Sequence, residues 1–205
     1  MWFRIIMTVL TCYLLGNLNG AVCVSHLMHD DVRSHGSGNA GLTNFIRNYG
    51  AGSSAMVIAI DVGKAVVSCL LGGLLLEPYG MTLEGRAIGG LALMLGHDFP
   101  ALLGFKGGKG ILSGWFVAWV VDWRIGLLIA IVFFGIYFLT HLVSLGSVMA
   151  AATFAVGFAI FHWGNPFVVT GCVFMGVLTI FQHRANIVRL IKKQEKKVDL
   201  FKLGK

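Results

Sequence analysis

Charge is what this chain has least of. Only 12% of its 205 residues are Asp, Glu, Lys or Arg, while 57% are hydrophobic, and mean hydropathy is +0.81. A soluble domain carries about 25% charged residues, because its surface must face water. Without that polar skin most of the surface must face lipid, and by length residues 1–205 read as one domain. Cys12, Cys23, Cys69 and Cys172 stand singly inside apolar runs. No CxxC pair occurs, so neither a zinc site nor a disulfide framework is indicated, and packing between helices is expected. HExxH and clustered carboxylates are also missing, so no metal and no other cofactor is expected. No Ser-His-Asp arrangement stands out, which argues against an acyl-enzyme.

The N-terminal run MWFRIIMTVLTCYLLG has the charge-then-apolar order of a signal peptide. No clean small-x-small cleavage site follows, so a retained first span is expected. About 20 apolar residues cross a bilayer. Seven segments are candidates, roughly 4–25, 52–76, 86–100, 110–121, 125–141, 145–162 and 166–182. The third and fourth are short and interrupted by glycine. Gly16 and Gly20, like Ala151 and Ala155, recur at the four-residue spacing that lets helices approach closely in lipid.

The net charge of +7 raises the possibility of nucleic acid, but eight of the sixteen Lys and Arg follow Gln182. That distribution fits a basic tail from about 183 to 205 facing a lipid surface, with no nucleic-acid partner. Seven spans put Arg33, Arg47, Lys106, Lys109 and the tail on one side, against Arg4, Arg86 and Arg124 on the other. The positive-inside rule then sets the N-terminus outside and the C-terminus in the cytoplasm.

Three connections on that side are chemically unusual. GSGNAGLTN (36–44) has three glycines in six residues, with Ser37, Asn39, Thr43 and Asn44 as short hydrogen-bonding side chains. Such a loop suits an anion nest, with Arg47 as a clamp, or it is simply a flexible polar turn. FKGGKG (105–110) sets Lys106 and Lys109 around bare backbone, but Gly110 after Lys109 breaks the Walker pattern. In QHRANIVRL (182–190), His183 and Asn186 share a helix face. Asp61 and Lys64 lie inside the second span, either neutralising each other or turned into a cavity. Ser144 and Ser147 mark the remaining turn. His26 and Asp31 fit an H-x-x-x-x-D acyltransferase signature, but the segment lacks that class's other blocks.

Taken together, these segments resemble the bacterial acyl-phosphate:glycerol-3-phosphate acyltransferases, the PlsY family, over nearly the whole chain. The resemblance is carried by YLLGNLNG (13–20), GSGNAGLTN with Arg47, DVGK (61–64), LGHDFPALLGFKGGKG (95–110), LVSLGSVMAA (142–151) and QHRANIVRL. Asn17-Leu18-Asn19-Gly20 stands where the family usually reads SIPxG. The resemblance implies an all-α, polytopic fold of seven transmembrane helices in the bacterial inner membrane, with its active site facing the cytoplasm. It implies acyl phosphate and glycerol 3-phosphate as substrates beside membrane lipids, with lysophosphatidic acid as product. Gly36, Ser37, Gly38 and Asn39 would hold donor phosphate, completed by Thr43, Asn44 and Arg47. Lys106 and Lys109, with Ser144 and Ser147, would bind glycerol 3-phosphate, and Ser37, His183 and Asn186 would stand at the reacting centre. The alternatives are a transporter of an anionic metabolite, for which no inverted repeat is visible, and the same transfer to another acceptor.

Overall fold

A computed structural model describes residues 1–200, so residues 201–205 of the expected tail lie outside the described residues. Among the described residues the chain is all helical. The first half holds α1 (Trp2–Gly16), α2 (Gly20–Leu27), α3 (Leu42–Tyr49), α4 (Ser54–Leu76) and α5 (Thr82–Asp98). The second half holds α6 (Ile111–Val121), α7 (Trp123–Thr140), α8 (Val143–Phe161), α9 (Pro166–Gln182) and α10 (Arg184–Ile191).

Three helices, α4, α7 and α8, are each long and apolar enough to cross a membrane, or five spans if each bent pair counts as one. The bent pairs are α1 with α2, at 42°, and α9 with α10, at 55°. Apolar helix α6, with 11 residues, is the short fourth segment expected over 110–121. The continuous first segment expected over 4–25 is broken between α1 and α2, at Asn17-Leu18-Asn19. Asn19 leaves helical geometry at ψ 114° and its side chain caps Val22 N–H. Its amide nitrogen also donates to the Ala40 carbonyl at 2.9 Å, while Asn17 Oδ1 accepts from Leu102 N–H at 3.0 Å. The kink thus anchors both glycine-bearing loops.

Helix packing follows the small residues. α5 lies against α1 and α4, and α8 lies between α7 and α9. A methyl group at Gly16 would stand 2.8 Å from the Gly96 backbone, so α1 and α5 touch main chain to main chain. One at Gly176 would stand 2.8 Å from the Ala155 Cβ and 2.9 Å from the Ala151 carbonyl, so the spaced alanines do set the α8–α9 crossing. A shared core including Ala65, Leu93, Val117, Ile125, Phe154 and Cys172 joins the two groups of helices. All four cysteines are free, and three are buried.

The two ends of the bundle differ in chemistry. At one end, Arg4 donates to the Leu75 carbonyl, Arg86 to the Val120 carbonyl, and Asn165 to Glu84. Asp122 takes both Arg124, at 2.6 Å, and His162, at 2.9 Å, and the Arg124 guanidinium beside it pulls its carboxyl down to about 2. The opposite end carries the glycine loops, the α7–α8 turn and the segment after α10.

Candidate active site

Asn44 builds the first loop. Its buried side chain accepts from Ser37 N–H at 3.0 Å and donates to the carbonyls of Val32 and His35, both at 3.0 Å, and of Asn39 at 3.1 Å. One amide therefore gathers residues 32–39 around the first turn of α3. Gly36 and Gly38 supply the left-handed turns at φ 58° and 70°, where a side chain would be strained. Three of the loop's N–H groups are consumed internally: Ser37 by Asn44, Gly38 by the His35 carbonyl and Gly41 by that of Asn39. The expected backbone nest is narrower for that reason, and side chains carry more of the loop's binding capacity.

The second loop is held by His97. Gly108 N–H donates to the His97 carbonyl at 3.0 Å, and a methyl group at Gly108 would collide with the imidazole. His97 in turn meets Lys64 Nζ through Nδ1 at 2.7 Å, and Lys64 pairs with Asp61 at 2.9 Å while donating to the Leu18 carbonyl at 2.7 Å. Asp61 also accepts from Gly20 N–H at 3.1 Å. The charged pair in the second span is thus mutually neutralised, and Asp61 and His97 also reach the cavity wall. Burial of two ions is tolerated because each has polar partners.

These loops close over a cavity of about 430 Å³. Ser37, Asn39, Thr43, Asn44 and Arg47 line it from one side, and Lys109 from the FKGGKG loop. Ser144 and Ser147 of α8 line it too, with His183 and Asn186 at the α9–α10 bend. Residues from four distant segments share one chamber. Its floor is apolar, with Met94, Trp115, Phe133, Ala150, Phe154 and Met175. Lys106 stands apart: it is exposed and outside the lining residues. Gly36 and Gly38 shape the loop without lining the cavity. His26 and Asp31 also lie elsewhere, 3.8 Å apart near the surface, with Asp31 clamped by Arg33 at 2.8 Å.

Inside the chamber, Lys109 donates to the amide oxygen of Asn186, whose nitrogen donates to Ser144 Oγ at 2.7 Å. Burial pushes the Lys109 ammonium down to about 8; Arg189, Arg184 and Arg47 push the same way, and Glu195 opposes them. His183 Nδ1 lies 2.8 Å from the Thr179 carbonyl. A carbonyl only accepts, so Nδ1 carries the proton and the neutral ring keeps its lone pair on Nε2. Glu195, which no local sequence pattern marks, lines the same cavity.

A family model described as glycerol-3-phosphate acyltransferase matches residues 6–193. A glycerol-3-phosphate acyltransferase of Thermoanaerobacter sp. (strain X514) is 38% identical, over 94% of this chain and 95% of that one. Another, of Finegoldia magna, is 33% identical over 96% and 98%. Among solved structures, an integral membrane glycerol 3-phosphate acyltransferase, PlsY, in its glycerol 3-phosphate form superposes with a TM-score of 0.86. It is 31% identical and the match covers 97% of this chain and 99% of that one. The lysophosphatidic acid form gives 0.83 at 30% identity, over 96% of each. Sequence, fold and near-complete coverage agree: the chain belongs to the glycerol-3-phosphate acyltransferase family.

Proposed function

We propose that the chain moves an acyl group from acyl phosphate to glycerol 3-phosphate, giving lysophosphatidic acid and inorganic phosphate. In this reading it works as a single domain in a bacterial inner membrane. It crosses seven times, with the N-terminus outside and the cavity open to the cytoplasm. The observation that carries the reading is one chamber combining phosphate-suited groups at its rim with an apolar floor. Cations gathered at that end of the bundle support the orientation. The solved relatives' glycerol 3-phosphate and lysophosphatidic acid forms supply the acceptor and the product.

Acyl phosphate is a mixed anhydride, so its phosphate leaves readily. The glycerol hydroxyl oxygen bonds to the acyl carbon, the bond from that carbon to the phosphate oxygen breaks, and inorganic phosphate departs. Negative charge grows on the carbonyl oxygen and the leaving phosphate, where donors already in place lower the barrier. Ser37, Asn39, Thr43 and Arg47 meet the leaving phosphate, on a loop that Gly36, Gly38 and Asn44 shape. Lys109 keeps two ammonium protons after its bond to Asn186 and offers them to the acceptor phosphate, beside Ser144 and Ser147. Lys106, at the surface, attracts that anion before it enters. Asn186 and His183 stand at the reacting centre, and the hydroxyl proton passes to His183 Nε2 or to a substrate phosphate oxygen. Holding both phosphorylated molecules in one chamber adds proximity.

The deciding experiment gives purified protein acyl phosphate and acyl-CoA side by side. Phosphate release from acyl phosphate that depends on glycerol 3-phosphate is the expected result. Equal use of acyl-CoA, or release without acceptor, would overturn it.

A further inference from the structure

After α10 the chain doubles back. Lys193 takes φ 55°, and Gln194 N–H donates to the Arg189 carbonyl at 2.8 Å. Further on, the Lys196 carbonyl accepts from Arg47, and Val198 N–H donates to the His141 carbonyl at 3.1 Å. Val198 is buried against Tyr137 and Val143. The segment is therefore pinned at both ends, and Glu195 between the pins forms part of the cavity wall.

The Glu195 side chain is only 4% exposed, although it comes from a run of lysines that face solvent. A buried carboxylate needs partners, and this one has three. Oε1 accepts from Ser144 Oγ at 2.5 Å and Asn186 Nδ2 at 2.9 Å, and Oε2 accepts from Arg189 Nε at 2.6 Å. A carboxylate only accepts, so it sets the direction of every bond that follows. The Ser144 hydroxyl must donate to it, which leaves the serine lone pair for Asn186. The Asn186 nitrogen must face Ser144 and Glu195, which leaves Oδ1 for Lys109. Rotating that amide would set its oxygen against the carboxylate.

We propose that Glu195 is a positioning residue for the transfer reaction, fixing Lys109 through the Asn186 amide so that its remaining protons face the acceptor phosphate. The inference rests on the transfer reading above. The Glu195 charge also offsets the repulsion that Arg189, Arg184 and Arg47 impose on Lys109, and Asp61, His97 and His183 are further titratable groups lining the same cavity.

The test compares the full wild-type chain with Glu195→Gln and Glu195→Ala. It reads kcat, KM for glycerol 3-phosphate, the pH profile and thermal unfolding. Glu195→Ala should lower kcat/KM about 10²-fold, the scale set by loss of catalytic alignment. Both variants should move the alkaline limb of the profile to lower pH, because Lys109 loses a negative charge that opposes its arginine neighbours. A fall in KM at unchanged kcat would overturn the proposal, since Glu195 would then be an occupant that substrate displaces. An unchanged profile and kcat/KM, with only the unfolding temperature lowered, would reduce it to packing. Val198→Ala loosens the same segment without touching a polar group, and should shift the limb the same way by less. Should Glu195→Gln fail to fold, an unmoved limb in Val198→Ala overturns the proposal. Absence of transfer by the wild-type protein would instead sink the transfer reading itself.

Discussion

Lys109, at the end of a glycine loop, donates to the side-chain oxygen of Asn186, 77 positions further along the chain. The bond ties the loop before α6 to the bend after α9, and it sets a lysine of lowered proton affinity in the cavity wall.

Lys109 must carry its proton to hold a phosphate. Its ammonium, pushed down to about 8, loses charge as pH rises through that value, so KM for glycerol 3-phosphate should climb above pH 8. Lys109→Ala should raise that KM by about tenfold to a hundredfold, the worth of a charge-assisted hydrogen bond. Lys106→Ala, at an exposed position, should have a smaller effect that fades with added salt. Equal effects at the two lysines in steady-state kinetics would contradict the assignment.

Asn44→Ala should disturb the donor loop. It removes the shared partner of Ser37, Val32, His35 and Asn39, at roughly 1–3 kcal/mol for each group left unpaired and buried. A lower unfolding temperature together with a higher KM for acyl phosphate is expected. An unchanged KM would show that the loop holds its shape without the amide.

His183→Gln keeps a hydrogen-bonding side chain but no basic nitrogen. If Nε2 accepts the hydroxyl proton, kcat should fall by about 10²-fold or more while the protein stays folded. Turnover near wild type would assign the proton to a substrate phosphate oxygen.

Lys64→Met should destabilise the protein by roughly 3–5 kcal/mol, because Asp61 would be left buried without its ion partner. The double variant Asp61→Asn with Lys64→Met should recover part of that loss in thermal unfolding. Failure to recover would mean that Lys64 acts mainly through the Leu18 carbonyl and His97.

Much of this molecule is legible in its sequence. The largely apolar runs at 52–76, 125–141, 145–162 and 166–182 become helices with nearly those bounds, since lipid leaves a backbone no other partner than itself. The glycine and lysine loops stand out in the sequence as candidates for binding anions, because they put bare backbone beside short polar side chains and cations. The Ala151 and Ala155 spacing foretells a close helix contact, which Gly176 completes.

Other features depend on groups far apart in the chain. The first apolar run reads as one span, yet Asn17 and Asn19 bend it because their partners, Leu102 and Ala40, are brought near only by the fold. Lys106 and Lys109 look equivalent in FKGGKG, and only the turn around His97 sends one to the cavity and leaves the other at the surface. Glu195 reads as one solvated acid among lysines until the doubled-back chain buries it against Ser144, Asn186 and Arg189. Local pattern determined where helices form and which loops are candidates for a site, because hydropathy and backbone freedom act over a few residues. Tertiary structure alone decided which donors meet which acceptors, because hydrogen bonds act across space whatever their separation along the chain.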